Sequence, residues 1–459
     1  MSQPFPNRAL LVDLYELTMA AGYFEHGMDF QATFELFVRN LPPERSYLVA
    51  AGVDDALDYL ENLRFTDDDI QYLRALPAFR TVHGDFFAYL RDFRFNGDVA
   101  GVPEGTVVFA EEPILQVTAS IAEAQIVETY LLSVINFETL VASKASRVVR
   151  AAQGRAVLEF GTRRAQGPEA GLRAARAAYL GGCNATSNTE AGHLYSIPVA
   201  GTAAHSWTQA FATERESFEA LLETFPDTGV LLIDTYDDLA GAELVASLGK
   251  KVSAVRLDSG DLLEKSREVR SILDARGLQD VKIIASGNLN EFRIEELVEA
   301  GAPIDSFGVG TDLATSRDVP ALSVVYKLVE TNRGGQVEYK AKFSEKKVYC
   351  PGRKQVFRFM QEGRYHHDVL ARSEETYADG EPLLQPLMRT GRRTSARKTT
   401  ASIREAALAN LRRLPDPYHA LRGAPDYPVK KSDALLQLLD EIRGQYVSAR
   451  KPAGAPPAR

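Results

Sequence analysis

Three segments of the chain share one pattern, in which a short apolar run stops abruptly at small polar residues. They read AVRLDSGD at 254–261, IIASGNLN at 283–290 and FGVGTDL at 307–313. Helical patterns separate them, so the order predicts β-α-β-α-β with glycine and hydrogen-bonding side chains at the carboxyl end of each strand. In a parallel barrel that end carries the active site, and the loops after the last strands often hold a phosphate.

The same rhythm extends upstream of these segments. Strand-like runs that end in polar or glycine residues occur at 156–160, 183–186, 199–202 and 229–233. A helix is predicted over 168–180, because proline stands at its start and two glycines follow its end. Seven strand-like units between 156 and 313 predict an α/β fold with an irregular (β/α) barrel rather than an open sheet.

Both ends of the chain carry β-rich patterns outside this rhythm, which predicts a second α+β sheet domain built from N- and C-terminal segments. The predicted divisions are 1–120 for the N-terminal sheet domain, 121–325 for the barrel with the ligand site, 326–445 for a C-terminal segment that returns to the N-terminal domain and adds helices, and 446–459 for a disordered tail.

Composition excludes several classes of protein. The 459 residues are 45% hydrophobic and 25% charged, which is ordinary for two or three globular domains. A net charge of -9 argues against a nucleic-acid partner. Two cysteines, Cys183 and Cys350, are too few for a disulfide framework or a zinc site, so we expect a reducing cytoplasm. Neither a secretory signal nor an apolar run of about 18 residues is present, so we expect no membrane span.

His205 follows a predicted strand end at Gly201-Thr202 and precedes Trp207. A neutral imidazole can accept a phosphoryl group or a proton near pH 7, which makes this residue a candidate catalytic group. The alternative is a histidine that is hydrogen-bonded beneath a loop. Its position alone leaves both interpretations open.

Adjacent arginines, Arg163 and Arg164, follow the strand predicted at 156–160. Guanidinium groups bind phosphate or carboxylate through paired hydrogen bonds. One of the two could instead form a structural ion pair while the other is solvated. Because side chains alternate in direction, we do not expect both to face a ligand.

Arg256 lies inside an apolar strand, where an unpaired charge is very costly. Either Asp258 or Asp234 pairs with it structurally, or an anionic ligand does. Asp258 and Asp261 could hold ribose hydroxyls or a hydrated Mg²⁺. Asp258 or Ser259 also fits the N-cap of the following helix, and both roles can hold together.

The turns at 286–288 and 308–311 offer backbone N–H groups and hydroxyls to a phosphate. A structural role as a tight turn explains each of these glycine-rich segments equally well. Two such segments after successive strands are a more specific indication of a phosphate site than one alone. Neither is a P-loop, because no Gly-x-x-x-x-Gly-Lys-Ser/Thr occurs. Near the N-terminus, Tyr15 could lie in the core or stack on a planar ligand, and the residue pattern by itself favours the core.

Taken together, these segments resemble nicotinate phosphoribosyltransferase. The stretches that carry the resemblance are, in chain order, LVDLYELTMA at 11–20, NFETL at 136–140, FGTRRAQG at 160–167, GTAAHS at 201–206, RLDSGDL at 256–262 and FGVGT at 307–311, with a weaker match in PGRKQVFR at 351–358. The resemblance implies a two-domain type II phosphoribosyltransferase, with an irregular barrel and active sites at a homodimer interface.

The resemblance also implies a reaction and its residues. Phosphoribosyl would pass from phosphoribosyl pyrophosphate to nicotinate, giving nicotinate mononucleotide and pyrophosphate in NAD salvage, and ATP hydrolysis would be coupled through phosphorylated His205. Tyr15 would stack on the pyridine ring, and Thr202 and Arg256 would hold nicotinate. Asp258 would act in catalysis together with Mg²⁺. The resemblance does not assign the residues that bind Mg²⁺. Phosphoribosyl pyrophosphate would be bound by Arg164, Asp261, Ser286, Gly308, Gly310 and Thr311.

Other functions stay open at this point. A nicotinamide-using relative is one, because Arg256 alone does not exclude the amide. Quinolinate phosphoribosyltransferase shares the architecture but lacks the phosphohistidine step and is typically shorter. A catalytically silent nucleotide-sensing homologue is another, although intact His205, Asp258 and Thr311 argue against it. A barrel aldolase needs a lysine at a strand end, whereas Lys282 starts its strand. The basic run at 389–398 is interpreted as a solvated surface or a dimer contact.

Overall fold

The computed structural model describes residues 8–249, 251–343 and 348–449. The described chain divides into two compact units. The first contains the residues up to 137, residues 321–398 and the residues from 409 onward, and the second contains 138–320 and 399–408. The boundaries that the sequence predicts are 120 and 325.

Helices and strands alternate irregularly up to residue 151. The helices are α1 (Leu14–Glu25), α2 (Val53–Asn62), α3 (Asp67–Ala75), α4 (Gly84–Asp92), α5 (Ile121–Ile126) and α6 (Glu128–Ala151). The strands are β1 (Gln31–Val38), β2 (Leu48–Val49), β3 (Asp98–Gly101), β4 (Val107–Val108) and β5 (Pro113–Ser120).

Strands and helices alternate between 156 and 314, except where three helices follow one another between 189 and 224. The strands are β6 (Ala156–Glu159), β7 (Ala185–Thr186), β8 (Val230–Leu232), β9 (Ala254–Leu257), β10 (Lys282–Ala285) and β11 (Ser306–Val309). The helices are α7 (Pro168–Leu180), α8 (Thr189–Tyr195), α9 (His205–Gln209), α10 (Glu214–Thr224), α11 (Asp238–Ser247), α12 (Leu262–Ala275), α13 (Glu291–Glu299) and α14 (Thr311–Ala314). Helix α7 has the bounds that its flanking proline and glycines predict.

The C-terminal part is mainly β-structure followed by two helices in the described residues. The strands are β12 (Val324–Arg333), β13 (Gln336–Tyr339), β14 (Lys354–Gln361), β15 (Arg364–Arg372), β16 (Gly380–Pro382), β17 (Gln385–Arg389), β18 (Arg392–Arg393) and β19 (Val429–Lys431). The helices are α15 (Thr400–Arg413) and α16 (Asp433–Ala449). Helix α16 extends past 446, where the tail was predicted to begin, and residues 450–459 of that predicted tail lie outside the described residues.

The first unit is built around an antiparallel sheet with the order β13-β12-β1-β5-β3-β17-β18. Strand β1 pairs with β5 on one side and β12 on the other, so N-terminal and C-terminal segments share one sheet, as the sequence predicts. The centre of the sheet buries Glu35, which forms an ion pair with Lys354 at 2.6 Å. Gln116 donates to the same carboxylate at 2.8 Å, so the buried charges are paired and hydrogen-bonded. A further sheet has the order β16-β14-β15-β19, and β2 pairs with β4.

The second unit contains a parallel sheet with the order β7-β6-β11-β10-β9-β8 in the described residues. Of the six strands in this sheet, β11 comes last along the chain and β6 comes first. These two strands pair with each other, which curls the sheet. The predicted strand at 199–202 contributes a single bridge between Val199 and Thr186, and no described ladder joins it to β8. The fold is therefore mixed α/β with a curled parallel sheet. The irregular (β/α) barrel that the sequence predicts is confirmed as far as this curled parallel sheet, and among the described residues the 199–202 segment adds one bridge rather than a paired strand.

The carboxyl ends of the parallel strands lie along one edge, since all pairings within this sheet are parallel. Residues that follow neighbouring strands are therefore brought together although they are far apart in sequence. Among the described helices, none is both long enough and apolar enough to cross a lipid bilayer.

Candidate active site

A hydrogen-bond network around Arg256 forms the centre of the candidate site. Arg256 lies on β9 and is 9% exposed. Its Nε donates to Ser286 Oγ at 2.7 Å, its Nη1 to Thr202 Oγ1 at 2.6 Å and its Nη2 to Asp258 Oδ1 at 2.7 Å. Ser286 Oγ also donates to Asp258 Oδ1, at 2.5 Å. The network thus joins four of the predicted site residues, and Asp258 is the carboxylate that pairs with the arginine.

Glycines allow the strand ends to approach this closely. Gly287 has φ +90°, and a Cβ there would overlap the carbonyl oxygen of Asp258. A Cβ at Gly308 would lie 2.6 Å from the Phe160 ring and 3.3 Å from Ser286 Cβ. Larger residues would therefore push the ends of β10 and β11 away from their neighbours.

His205 begins the short helix α9, and its ring lies among polar side chains that follow two strands, β8 and β9. Nδ1 lies 3.3 Å from Thr235 Oγ1. Nε2 lies 3.9 Å from Asp234 Oδ1 and 4.0 Å from Asp258 Oδ2. The histidine side chain is 41% exposed, so it is accessible to a ligand as well as to these carboxylates. The structure therefore favours the site interpretation of His205 over a histidine covered by a loop.

Asp234 follows β8 and connects His205 to the Arg256 network. Its Oδ2 accepts from the Asp258 backbone N–H at 3.0 Å and from Ser259 Oγ at 2.9 Å. Its Oδ1 is buried and accepts no hydrogen bond from the described residues. The sequence raised Asp234 as a partner of Arg256, whereas the structure places it beside the histidine.

A second group of predicted residues surrounds the turn after β6. Thr162–Arg164 forms a 3₁₀ turn, and the exposed side chains of Arg163 and Arg164 have no ion pair within the described chain. A Cβ at Gly161 would lie 2.7 Å from the carbonyl oxygen of Gly310, so the turn packs directly against the loop before α14. Thr311 begins that helix and is exposed. The turn that carries the two arginines and the glycine-rich loop therefore neighbour each other, and both are suited to phosphate.

Asp261 lies outside the Arg256 network. It is the N-cap of α12, where its Oδ1 accepts from the N–H groups of Leu263 at 3.0 Å and Glu264 at 3.4 Å. The prediction that Asp258 or Ser259 caps this helix is wrong, because the turn through Gly260 delays the first helical residue to Leu262. Among the described residues, no group of three or more His, Cys, Asp or Glu side chains is arranged to hold a metal ion.

Sequence reasoning missed Phe160 and Thr235. The guanidinium carbon of Arg256 lies 5.8 Å from the centroid of the Phe160 ring, which also contacts Gly308. An aromatic residue directly after a strand and before a glycine is the signal that could have identified Phe160. Thr235 follows Asp234 in a strand-end run, DTYD at 234–237, that is similar to the others.

Tyr15 belongs to the first unit, on α1. Tyr15 is 44% exposed, so the prediction from the sequence that it lies in the core is wrong. Partial burial is the largest cause that raises the pKa of Tyr15. The neighbouring carboxylates of Glu128 and Glu16 raise this pKa further. The phenol therefore stays protonated at neutral pH and keeps a neutral ring.

A cavity of about 490 Å³ borders the network on the side of Thr202. Its walls are mainly small or apolar, and they are formed by Gly201, Thr202, Ala203, Ala204, Trp207, Leu221, Phe225, Thr228, Gly229 and Val230. Trp207 is held there by a hydrogen bond from its indole N–H to Ser217 O at 3.0 Å.

A buried arginine, exposed arginines and glycine-rich turns at the carboxyl edge of a parallel sheet define an α/β enzyme whose ligands carry negative charge. Comparison with known families specifies this class. The models of the nicotinate phosphoribosyltransferase N-terminal domain, family region and C-terminal domain match residues 10–136, 156–349 and 376–439. The chain belongs to the nicotinate phosphoribosyltransferase family, which confirms the resemblance found in the sequence.

Individual relatives agree with this assignment. The chain is 46% identical over 443 residues to nicotinate phosphoribosyltransferase pncB2 of Mycobacterium tuberculosis, covering 95% of this chain and 94% of that protein. It is similar to the crystal structure of human nicotinic acid phosphoribosyltransferase, with a TM-score of 0.83 and 30% identity over 94% of this chain and 99% of that one. A nicotinate-nucleotide pyrophosphorylase from Pyrococcus furiosus has a TM-score of 0.73 and 26% identity, over 90% and 98% of the two chains.

Proposed function

We propose that this chain transfers phosphoribosyl from phosphoribosyl pyrophosphate to nicotinate in NAD biosynthesis, and that ATP hydrolysis through a phosphohistidine at His205 drives the transfer. The observation that carries the proposal is the position of Arg256. It is a nearly buried cation at the strand ends, and each of its Nη atoms keeps one N–H that is not used by Thr202 or Asp258. These N–H groups can bind the carboxylate of nicotinate. Phe160, beside the guanidinium, offers a face to the pyridine ring.

The second group of residues would bind the phosphates. Cleavage of the bond between ribose and pyrophosphate builds negative charge on the leaving group, so the site needs hydrogen-bond donors there. Arg164, the backbone at Gly308 and Gly310, and the Thr311 hydroxyl can supply them. The ring nitrogen of nicotinate is the nucleophile, and no protein nucleophile on the sugar is required.

His205 would act as the phosphoryl acceptor from ATP. Two carboxylate oxygens lie 3.9 and 4.0 Å from Nε2, which favours a proton on that nitrogen. Nδ1, which faces the Thr235 hydroxyl, is then the nitrogen left to attack the γ-phosphorus of ATP. The N–P bond forms as the bond to ADP breaks, and Asp234 and Asp258 would balance the charge on the imidazole ring.

The residues present suit a hydrated Mg²⁺. The buried Asp234 Oδ1 has no hydrogen-bond donor among the described residues, and Asp258 Oδ2 is free of the Arg256 contact that engages Oδ1. Carboxylate oxygens of this kind are typical Mg²⁺ ligands. When bound, Mg²⁺ neutralises phosphate charge. Asp261 is already engaged as a helix cap and is a weaker candidate.

Several expectations stay predictions. These are the stacking of Tyr15 on the pyridine ring, the homodimer, the cytoplasmic location, and the closure of the parallel sheet into an irregular barrel. Nicotinamide is the second candidate substrate, because the Asp258 carboxylate beside Arg256 could accept from an amide NH₂.

One assay separates these functions. The purified protein is incubated with phosphoribosyl pyrophosphate, Mg²⁺ and either nicotinate or nicotinamide, with and without ATP, and the nucleotides are separated by chromatography. We expect nicotinate mononucleotide to form faster with ATP and little product from nicotinamide. Arg256→Gln should lower kcat/KM for nicotinate by about 100-fold, since a charge-assisted bidentate contact is lost. Product from nicotinamide alone would overturn the assignment of Arg256, and no product from either would favour a silent homologue.

A further inference from the structure

Glu159 is a buried acid in the second unit that the proposed chemistry does not use. It is the last residue of β6 and has no exposed surface. No lysine, arginine or histidine in the described chain forms an ion pair with it. Burial raises the pKa of its carboxyl group, as expected for an acid without a cation. A buried carboxyl group of this kind is costly unless its oxygens are hydrogen-bonded.

The hydrogen bonds of Glu159 lead in two directions from its carboxyl group. Oε1 accepts from the backbone N–H of Gly161, and Oε2 accepts from Thr186 Oγ1 at 2.6 Å. Thr186 Oγ1 accepts in turn from the backbone N–H of Asn188 at 3.0 Å. Asn188 Nδ2 then donates to Thr162 Oγ1 at 3.0 Å. The bonds therefore link Gly161 to the next residue, Thr162, by a path through Thr186 at the end of β7 and Asn188 after it.

This ring of hydrogen bonds holds the backbone directly before the two exposed arginines. Gly161 and Thr162 are the residues directly before Arg163 and Arg164, and both are held by the ring. The backbone N–H of Arg164 also donates to Gly161 O at 2.8 Å, so fixing Gly161 fixes the turn. The same glycine packs against the carbonyl oxygen of Gly310, next to the other proposed phosphate loop.

We propose that Glu159, Thr186, Asn188 and Thr162 form a positioning ring that holds Arg164 for the phosphates of phosphoribosyl pyrophosphate. The inference rests on the proposed function, because it assigns to that reaction residues that touch no substrate. Guanidinium recognition of phosphate depends on direction as well as on charge, so a turn free to shift should bind it more weakly. Arg256 donates to Thr202, Ser286 and Asp258 and not to this turn, so nicotinate binding should depend on the ring less, and only through Phe160.

The sharpest test breaks the ring with minimal change of shape. Thr162→Val keeps the methyl group that contacts Gly171 and removes only the oxygen that Asn188 uses. Thr186→Val removes the bridging hydroxyl. We expect each to raise KM for phosphoribosyl pyrophosphate by about three- to tenfold, the effect of one lost hydrogen bond, with a smaller change in KM for nicotinate. Binding of inorganic pyrophosphate, measured by calorimetry, should weaken by the same factor.

Three further variants make the result decisive. Glu159→Gln keeps an oxygen that accepts from the Gly161 N–H, and its NH₂ can donate to Thr186 Oγ1 in place of the bond that the Thr186 hydroxyl donates to Glu159. It should retain most of the affinity that Glu159→Leu loses. Thr224→Val removes a comparable hydroxyl bond, to Ala220 O at 2.9 Å, outside the ring, and should leave both KM values unchanged.

Arg164→Ala separates the failure of this inference from the failure of the proposed function. If Arg164→Ala weakens binding of phosphoribosyl pyrophosphate and both ring variants match the wild type, the positioning ring is refuted. If the ring variants lower kcat and melting temperature but leave the two KM values in their original ratio, the ring has only a structural role, and the inference is equally refuted. If Arg164→Ala itself changes nothing, the proposed phosphate site is wrong.

Discussion

At the scale of single residues, His205 is the group whose role can be tested apart from phosphoribosyl transfer. Its ring contacts Asp234, Asp258 and Thr235 rather than the Arg256 guanidinium. His205→Ala should therefore abolish ATP hydrolysis and keep slow, ATP-independent formation of nicotinate mononucleotide. ADP release and nucleotide product are measured in the same reaction.

The matched control for this variant is His193→Ala, which removes an exposed histidine on α8 of the same unit. It should leave both activities at the wild-type level. ATP-coupled turnover in the His205 variant would exclude the phosphohistidine at this position.

Glu16 gives the chain a pH-dependent stability. Its side chain has no exposed surface, and burial raises its pKa to about 8, although Thr129 donates to it from N–H and hydroxyl. An unfolded glutamate titrates near 4.3. Between these two values the native state binds the extra proton, so the free energy of unfolding falls as pH rises, and it is constant again above about 8.

Glu16→Gln should remove this slope, because the amide stays neutral at every pH. The melting temperature of the variant relative to wild type should rise between pH 5 and about pH 8 and level off above that pH. Glu25→Gln, an exposed position on the same helix, is the control and should show no such trend. A constant difference across this range would mean that Glu16 is already ionised in the folded state.

At the scale of secondary-structure elements, the site depends on how closely the ends of β9 and β10 approach. Gly287→Ala adds a Cβ that overlaps the carbonyl oxygen of Asp258 at a positive φ. We expect a loss of at least about 2 kcal/mol of stability and a large fall in activity, since Asp258 must move from Arg256.

Gly277→Ala controls for backbone strain alone. Gly277 also has positive φ, at +77°, but a Cβ there meets nothing within 4 Å. It should cost about 1 kcal/mol and leave turnover unchanged. Equal losses of stability and activity in the two variants would show that the contact with Asp258 has no role.

The elements also show what the sequence can and cannot predict. The positions of Arg256, Asp258 and Ser286 were predictable, because parallel strands present their carboxyl-end residues along one edge whatever the details of pairing. The contact of Thr202 with Arg256 and the location of Asp234 beside His205 were not. They depend on the irregular path of 199–205, which makes a single bridge instead of a strand. The helix cap at Asp261 was missed because Ser259 and Asp258 carry equally suitable oxygens.

At the scale of the whole molecule, the basic run at 389–398 holds distant parts of the first unit together. Arg393 pairs with three acids, Asp54 and Asp58 at 2.9 and 2.5 Å and Glu61 at 3.2 Å, and its side chain is only 13% exposed. Arg397 contacts Asp58 at 2.7 Å. The interpretation of the run as a solvated surface or dimer contact is therefore wrong for Arg393, whose partners lie on α2 of the same chain, whereas Arg397 keeps an exposed side chain.

Removing Arg393 should destabilise the first unit strongly. Arg393→Ala would leave the acidic face of α2 without its principal cation, and breaking a largely buried ion pair costs about 3 kcal/mol. Arg389→Ala is the control, because Arg389 is 62% exposed and its pair with Asp98 should contribute less than about 1 kcal/mol. Urea unfolding followed by circular dichroism measures both. The two variants could instead unfold at the same urea concentration. That result would mean that protons or solvent ions neutralise the acids on α2. The basic run would then be dispensable for joining the C-terminal segment to the N-terminal helices.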